Sequence, residues 1–177
     1  MSGHQMVGRT VFPVGKSTSD HRTPQDLFMR LSDEVGGFDL DVAASDENHL
    51  CDEYYTIENN GLFNLWEGKV WCNPPYNNIQ QWVNKARAEV TVGRASVVWM
   101  LVPARTSTQW FQSAFLAANE LRFIIGRLDF SGPHSIHNST APFPSVLIRF
   151  GGDESKSVHI ATRQGEVKYS RSNYPPL

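Results

Sequence analysis

The chain has 177 residues, 40% of them apolar, and a formal net charge of −2; that length buries one sizeable core and falls within the usual range of a single domain. Residues 1–8 show no basic-then-apolar arrangement with a small-residue cleavage site, and no run approaches the length of a membrane span, so a soluble cytoplasmic protein is expected. Cys51 and Cys72 are too few and too isolated for a disulfide framework or a zinc site, and both are expected to be reduced.

A net negative charge runs against nucleic-acid binding, which rests on Lys and Arg. Its distribution reverses that impression. Ten of the 18 acidic residues lie within 31–67, a stretch with no Lys or Arg, so the remainder sets eight acids against 16 bases. Charge runs are usually solvated faces, but this asymmetry leaves most of the molecule basic and permits a DNA-facing side.

Residues 1–22 are polar and aperiodic and read as a flexible leader, with one catalytic domain expected over 23–177. The spacing of Leu27, Phe28 and Leu31 predicts a helix over 23–35, with Thr23 as N-cap, Pro24 at the first helical position and Gly36-Gly37 as the stop. Residues 38–43 alternate as a short strand, and a second weak strand is expected at 54–56. Val70, Trp71 and Cys72 form a strand stopped by a double proline. A helix follows over 79–92, with Ile79, Trp82, Val83 and Ala86 on one face. The apolar run 96–102 predicts a strand buried on both faces, and 108–118 another helix. Strand-like segments remain at 121–130, 145–150 and 158–162. Strands alternating with helices imply an α/β fold with a mainly parallel central sheet and helices on both faces, while the last strands, joined without helices, suggest an antiparallel edge. The segment 131–144 carries three prolines, His134, His137 and Asn138, and its length and polarity point to a mobile, functional loop.

Asn73-Pro74-Pro75-Tyr76 stands immediately after a short apolar strand, hence at a carboxyl end of the sheet, where α/β folds bind ligands. Its chemistry suits amine methylation. An aromatic amine delocalises its lone pair into the ring and is a poor nucleophile. The Asn73 amide oxygen and the Pro74 carbonyl can each accept one N–H bond, steering the nitrogen toward tetrahedral geometry and localising that pair. The prolines lack N–H groups and restrict φ, holding the carbonyl outward, and Tyr76 offers a ring on which a base can stack. The bland alternative is a Pro-Pro turn with Tyr76 merely packing.

The string (Asp/Asn/Ser)-Pro-Pro-(Tyr/Phe/Trp) is the signature of amino-methyltransferases. The chain as a whole resembles the phage-type DNA N6-adenine methyltransferases, the short Dam-type family often encoded by phages and prophages. The resemblance runs over roughly 23–150. It comprises Thr23-Pro24-Gln25, Phe38-Asp39-Leu40-Asp41-Val42-Ala43-Ala44, Asn60-Gly61-Leu62 followed by Trp66, and Val70-Trp71-Cys72-Asn73-Pro74-Pro75-Tyr76. Leu101-Val102-Pro103-Ala104-Arg105-Thr106, Gly126-Arg127-Leu128-Asp129-Phe130 and Ala141-Pro142-Phe143-Pro144-Ser145 follow in order.

The resemblance implies a Rossmann-like methyltransferase fold, S-adenosylmethionine as methyl donor and double-stranded DNA containing a short adenine site as partner. It sets Asp41 where an acidic residue ends the first cofactor-binding strand and contacts the methionine end of the donor. Thr23 and Pro24 match the segment that closes that pocket, with Ala43, Asn60 and Asn73 completing the cofactor list. A carboxylate at a strand end can receive an ammonium group, although strand-end capping is its plain alternative. The chain departs from the usual pattern in two places: Ala43-Ala44-Ser45 replaces the glycine-rich turn usual in methyltransferases, and Asn60 stands where the family more often has Asp. Arg105, Arg127 and Phe143 are candidate DNA contacts, Arg105 toward a phosphate or the donor carboxylate, Arg127 and Phe143 around a flipped base. No metal is expected, since His134 and His137 lack a third ligand nearby. Two rivals stand beside DNA methylation. One is methylation of a protein glutamine amide, whose enzymes carry the same four residues but use a separate substrate-binding domain. The other is a regulatory DNA-binding module that keeps the fold without catalysis.

Overall fold

The computed structural model describes residues 22–130 and 140–172. The leader, except for Arg22, and His134, His137 and Asn138 of the long loop lie outside the described residues.

Helix α1 (Gln25–Val35) has Pro24 at its N-cap with φ −58°, where a missing N–H removes nothing the helix needs. Thr23, expected as the cap, stands one residue further out. The helix stops at Gly36, whose φ of 72° is left-handed, and the N–H groups of Gly36 and Gly37 return to the carbonyls of Asp33 and Ser32. The chain then forms β1 (Leu40–Asp41), β2 (Glu53–Tyr54), β3 (Gly68–Cys72), α2 (Ile79–Thr91), β4 (Ala95–Pro103), α3 (Gln109–Ala117), β5 (Glu120–Ile124), β6 (Ser145–Gly151), β7 (Ser157–Ala161) and β8 (Val167–Ser172).

These strands make one eight-stranded sheet in the order β2-β1-β3-β4-β6-β5-β7-β8. The first four neighbours run parallel, β7 runs parallel to β5, and β8 closes the edge antiparallel. The antiparallel character is not confined to that edge, because β6 lies antiparallel between β4 and β5. Its sequence explains the position. Val146, Leu147, Ile148 and Phe150 are all buried, and a strand apolar on both faces belongs inside a sheet, not at its rim.

Alternation along the strands sends side chains to two cores. On one face Val70, Cys72, Val98, Met100 and Ile148 meet Ile79, Trp82, Val83 and Ala86 of α2 and Phe111 and Ala114 of α3. On the other, Trp71, Trp99, Leu101 and Leu147 meet Leu27, Phe28 and Leu31 of α1. This second face also holds a polar network. Glu120 accepts from Arg122 Nε at 2.5 Å and from Arg149 Nε at 3.0 Å, while His159 Nε2 lies 3.2 Å from it. Arg122 also pairs with Glu34 of α1 and lies 4.7 Å above the Trp99 ring, so its charge is compensated on every side.

Candidate active site

The carboxyl ends of the parallel strands collect the chemistry-bearing residues on one side of the sheet. Asp41 ends β1 and Asn73 directly follows β3, with Asp41 in register with Trp71. Arg105 follows β4, and the reversed direction of β6 brings Phe143 to the same side, where the Ala104 N–H donates to the Pro144 carbonyl at 2.8 Å.

A cleft of about 530 Å³ opens there, lined by Thr23, Asp41, Ala43, Asn60, Asn73 and Pro74 among others, a size typical of small-molecule sites. Asp41 is only 3% exposed. Its Oδ1 accepts the Ala43 N–H at 3.3 Å and its Oδ2 the Leu50 N–H at 3.2 Å. Burial pushes its carboxyl from 3.8 up to about 6, against the opposing pull of those two bonds and of His49.

The alanine turn after β1 shapes the wall of the cleft. The Ala43 N–H is engaged by Asp41, the Ala44 N–H by the Tyr55 carbonyl at 2.9 Å, and the Ser45 N–H by Asn48 Oδ1 at 2.7 Å. The turn therefore presents β-carbons, not N–H donors. Close backbone approach occurs opposite it instead: a β-carbon on Gly61 would stand 2.2 Å from the Val42 carbonyl oxygen, so this position requires glycine. The residue before it, Asn60, has φ 47°, and its Oδ1 accepts the Leu62 N–H at 3.2 Å. That local bond is what lets an asparagine hold a left-handed backbone.

At the tetrapeptide, Asn73 Nδ2 donates to Thr23 Oγ1 at 3.1 Å, and the Tyr76 hydroxyl donates to Asn73 Oδ1 at 3.1 Å. The Pro75 carbonyl accepts the Asn78 N–H at 3.4 Å. The Pro74 carbonyl accepts no backbone N–H among the described residues. Burial raises the Tyr76 phenol above its ordinary range, so it stays protonated and remains a donor. Its ring meets Phe143 edge-on, centroids 5.5 Å apart, and Phe143 in turn meets Phe130 at 6.4 Å.

Of the residues singled out in the sequence, Thr23, Asp41, Ala43, Asn60, Asn73, Pro74 and Pro75 share the cleft. Tyr76 stands beside it on the Phe143 side. Pro24 does not line it and serves as the α1 cap. Arg105 and Arg127 are exposed, with Arg127 reaching the Ala141 carbonyl at 3.5 Å. The sequence reading missed Gly61, the Leu50 N–H and Trp82 of the cleft wall; the Asn60-Gly61 pair was the available signal for the first.

A model of the DNA N-6-adenine-methyltransferase (Dam) family matches residues 14–155. The chain belongs to that family. A DNA N-6-adenine-methyltransferase of Escherichia phage T1 is 39% identical over 105 residues, covering 58% of this chain and 43% of the phage protein. A DNA N-6-adenine-methyltransferase of Haemophilus phage HP1 is 35% identical over 88 residues, covering 49% of this chain and 50% of that relative. The matched region thus spans about half the length of these relatives or less. Among solved structures, the type IIL restriction-modification enzyme MmeI in complex with DNA matches at TM-score 0.43 and 15% identity, covering 81% of this chain and 24% of that one. Membership of a methyltransferase family implies a methyl donor. Among the described residues of this Dam-family chain, no three His, Cys, Asp or Glu are grouped to hold a metal, and no helix is long and apolar enough to cross a membrane.

Proposed function

We propose that this Dam-family chain transfers a methyl group from S-adenosylmethionine to the N6 amine of an adenine rotated out of duplex DNA, in the cytoplasm of a phage or prophage host. The observation that carries the reading is the adjacency of Asn73-Pro74-Pro75-Tyr76 to a cleft with a buried carboxylate. The residues present suit the donor. Asp41, pushed up to about 6 by burial, gains from a cationic ammonium beside it, and Thr23, Ala43 and Asn60 furnish polar and apolar walls.

The bound donor supplies an electrophilic methyl carbon on sulfur. Asn73 Oδ1 and the Pro74 carbonyl accept the two amine hydrogens and turn the nitrogen lone pair toward the cleft. An amide oxygen has two lone pairs, so Oδ1 serves the Tyr76 hydroxyl and the amine together. Pro75 keeps the carbonyl from rotating away, and Tyr76 stacks on the extruded base. No group here is a strong base, and the surplus proton leaves late, to water. Arg105, Arg127 and Phe143, on the same side of the sheet, are the proposed DNA contacts.

The test is incubation of the protein with isotopically labelled S-adenosylmethionine and duplex DNA carrying or lacking GATC, followed by nucleoside mass spectrometry. Labelled N6-methyladenine is the expected product. Donor binding without transfer to any DNA would overturn the reading in favour of a non-catalytic module, and label in a protein glutamine amide would redirect it to that substrate.

A further inference from the structure

One row of paired residues crosses the sheet just below its carboxyl edge. Val102 of β4 faces Val146 of β6, Val146 faces Phe123 of β5, and Phe123 faces Ile160 of β7. The strands β4, β5 and β7, which run the same way, each end one residue past that row, at Pro103, Ile124 and Ala161. An arginine follows each end within three residues: Arg105, Arg127 and Arg163. All three are exposed, and among the described residues none of them forms an ion pair, whereas Arg94, Arg122 and Arg149 are bound to Glu89 and Glu120.

Arg163 stands outermost in this series, and its turn is well braced. The Gly165 N–H donates to the Thr162 carbonyl at 2.9 Å, and the Glu166 N–H to the Thr162 hydroxyl at 3.1 Å. Its guanidinium lies against Gly126, where an added β-carbon would stand 2.8 Å from Nη2. The turns after β5 and β7 therefore meet beside Arg127. A guanidinium already held in place loses less freedom when it takes up an anion. Of the acids on these two turns, Asp129 and Glu166, the second is taken up by Lys168 at 2.8 Å.

Strand spacing sets the reach of the series. Neighbouring strands lie about 4.8 Å apart, and β7 is four places from β3 in the strand order. Arg163 thus stands about 19 Å across the sheet from the strand that carries Asn73, the rise of about five or six base pairs.

We propose that Arg163 is a DNA contact: the duplex runs along the row from β4 to β7, and Arg163 meets a backbone phosphate about five or six base pairs from the target adenine. The inference rests on the function proposed above and adds to it the direction and reach of the duplex. A phosphate contact carries no sequence information, so Arg163 fixes where the duplex lies whatever its bases are.

The experiment follows fluorescence anisotropy of the full chain with a labelled duplex of about 24 base pairs at about 50 to 200 mM salt. It compares the unaltered protein with Arg163→Ala, Arg163→Lys and, as a control, Lys156→Ala, whose residue lies before β7 at the opposite edge of the sheet. Arg163→Ala should weaken binding about five- to tenfold and lower the slope of log affinity against log salt by about 1, with the same loss on unrelated sequences. Arg163→Lys should keep the slope and stay within about threefold, and Lys156→Ala should change neither quantity. On the duplex that the unaltered chain methylates, the alanine effect should vanish when one flank of the target adenine is cut to about four base pairs, and persist when the other flank is cut. An unchanged slope in Arg163→Ala overturns the contact. So does an equal loss in Arg163→Lys, which would be a packing effect against Gly126, or an alanine effect that survives trimming of both flanks. If the chain binds DNA but methylates none, the functional reading fails by itself, and the salt slope still decides Arg163; a chain that binds no duplex overturns both.

Discussion

Replacing Asp41 by asparagine should make the ligand-free protein more stable and the donor complex weaker. The carboxyl sits at about 6 in the fold against an ordinary 3.8. At 1.36 kcal/mol for each tenfold change, ionised Asp41 therefore costs the empty fold about 3 kcal/mol. Because the folded value is raised, that contribution is absent below pH 3.8 and grows as pH rises through about 6. Asparagine removes the charge but keeps one acceptor oxygen, so either the Ala43 or the Leu50 N–H loses its partner, at about 1–2 kcal/mol. The net gain at pH 8 is about 1–2 kcal/mol, or roughly 4 °C in melting temperature for a chain of this size, and it disappears near pH 4. Donor affinity should fall by about tenfold to a hundredfold, the worth of a charge-assisted bond. For the unaltered chain, donor binding should strengthen as pH rises from 5 to 7, because the ligand must meet the ionised form. Thermal unfolding at pH 4 and pH 8 with donor calorimetry decides the matter. An Asp41→Asn variant less stable at pH 8, with donor affinity intact, would show that the carboxylate is only a clamp on two backbone amides.

Four further outcomes follow from the geometry. Asn73→Ala should reduce kcat by about a hundredfold, because it removes an acceptor used at the reacting nitrogen, and Tyr76→Ala should raise the KM for DNA about tenfold or more through lost stacking; equal loss of donor affinity in calorimetry would move both residues to the cofactor side. Gly61→Ala should cost about 2–3 kcal/mol in urea unfolding and weaken donor binding, since its β-carbon meets the Val42 carbonyl oxygen at 2.2 Å; unaltered stability would mean that the Asn60-Gly61-Leu62 segment yields. Glu120→Ala should cost about 3–5 kcal/mol, because it strands Arg122 and Arg149, both nearly fully buried; a loss under about 1 kcal/mol would show that Glu34 and Asp153 hold the two arginines unaided.

The parts of the fold legible in the sequence are those whose signal is local. The helical spacing of Leu27, Phe28 and Leu31, the Gly36-Gly37 stop and the apolar run of β4 each carry their meaning within a dozen residues, and the tetrapeptide carries its own chemistry. The insertion of β6 between β4 and β5 is a pairing between distant segments, and nothing in its own residues names its partners. The strand expected over 121–130 ends at Ile124, because Gly126 at φ 74° turns the chain. Strand β8 escaped notice since Val167, Lys168, Tyr169, Ser170 and Arg171 are all exposed and so lack a burial alternation. Glu120, Arg122 and Arg149 read as surface residues by type, and only the fold, by pairing β5 with β6 in the sheet beneath α1, makes them a buried network. The Thr23–Asn73 bond escaped for the same reason, a contact across 50 residues.

That buried network also changes how the charge distribution bears on DNA. Outside the acid-rich stretch the sequence sets 16 bases against eight acids, but Arg122 and Arg149 are bound to Glu120, and Arg94 to Glu89. None of the three is available to a phosphate without first breaking an ion pair. Most of the acid-rich residues, meanwhile, lie in and around strands β1 and β2, at one end of the strand order. Phosphates approaching the tetrapeptide are thereby disfavoured from that end and favoured from the β4–β6–β5 end, where exposed Arg105 and Arg127 stand. On the proposed function the duplex accordingly lies over the carboxyl ends of β4 and β5, and the target base reaches Asn73 from the Phe143 side. The donor cleft, walled by Asp41, Ala43 and Asn60, then receives its cationic ligand from the acidic side, so that the two substrates reach the same asparagine from opposite directions.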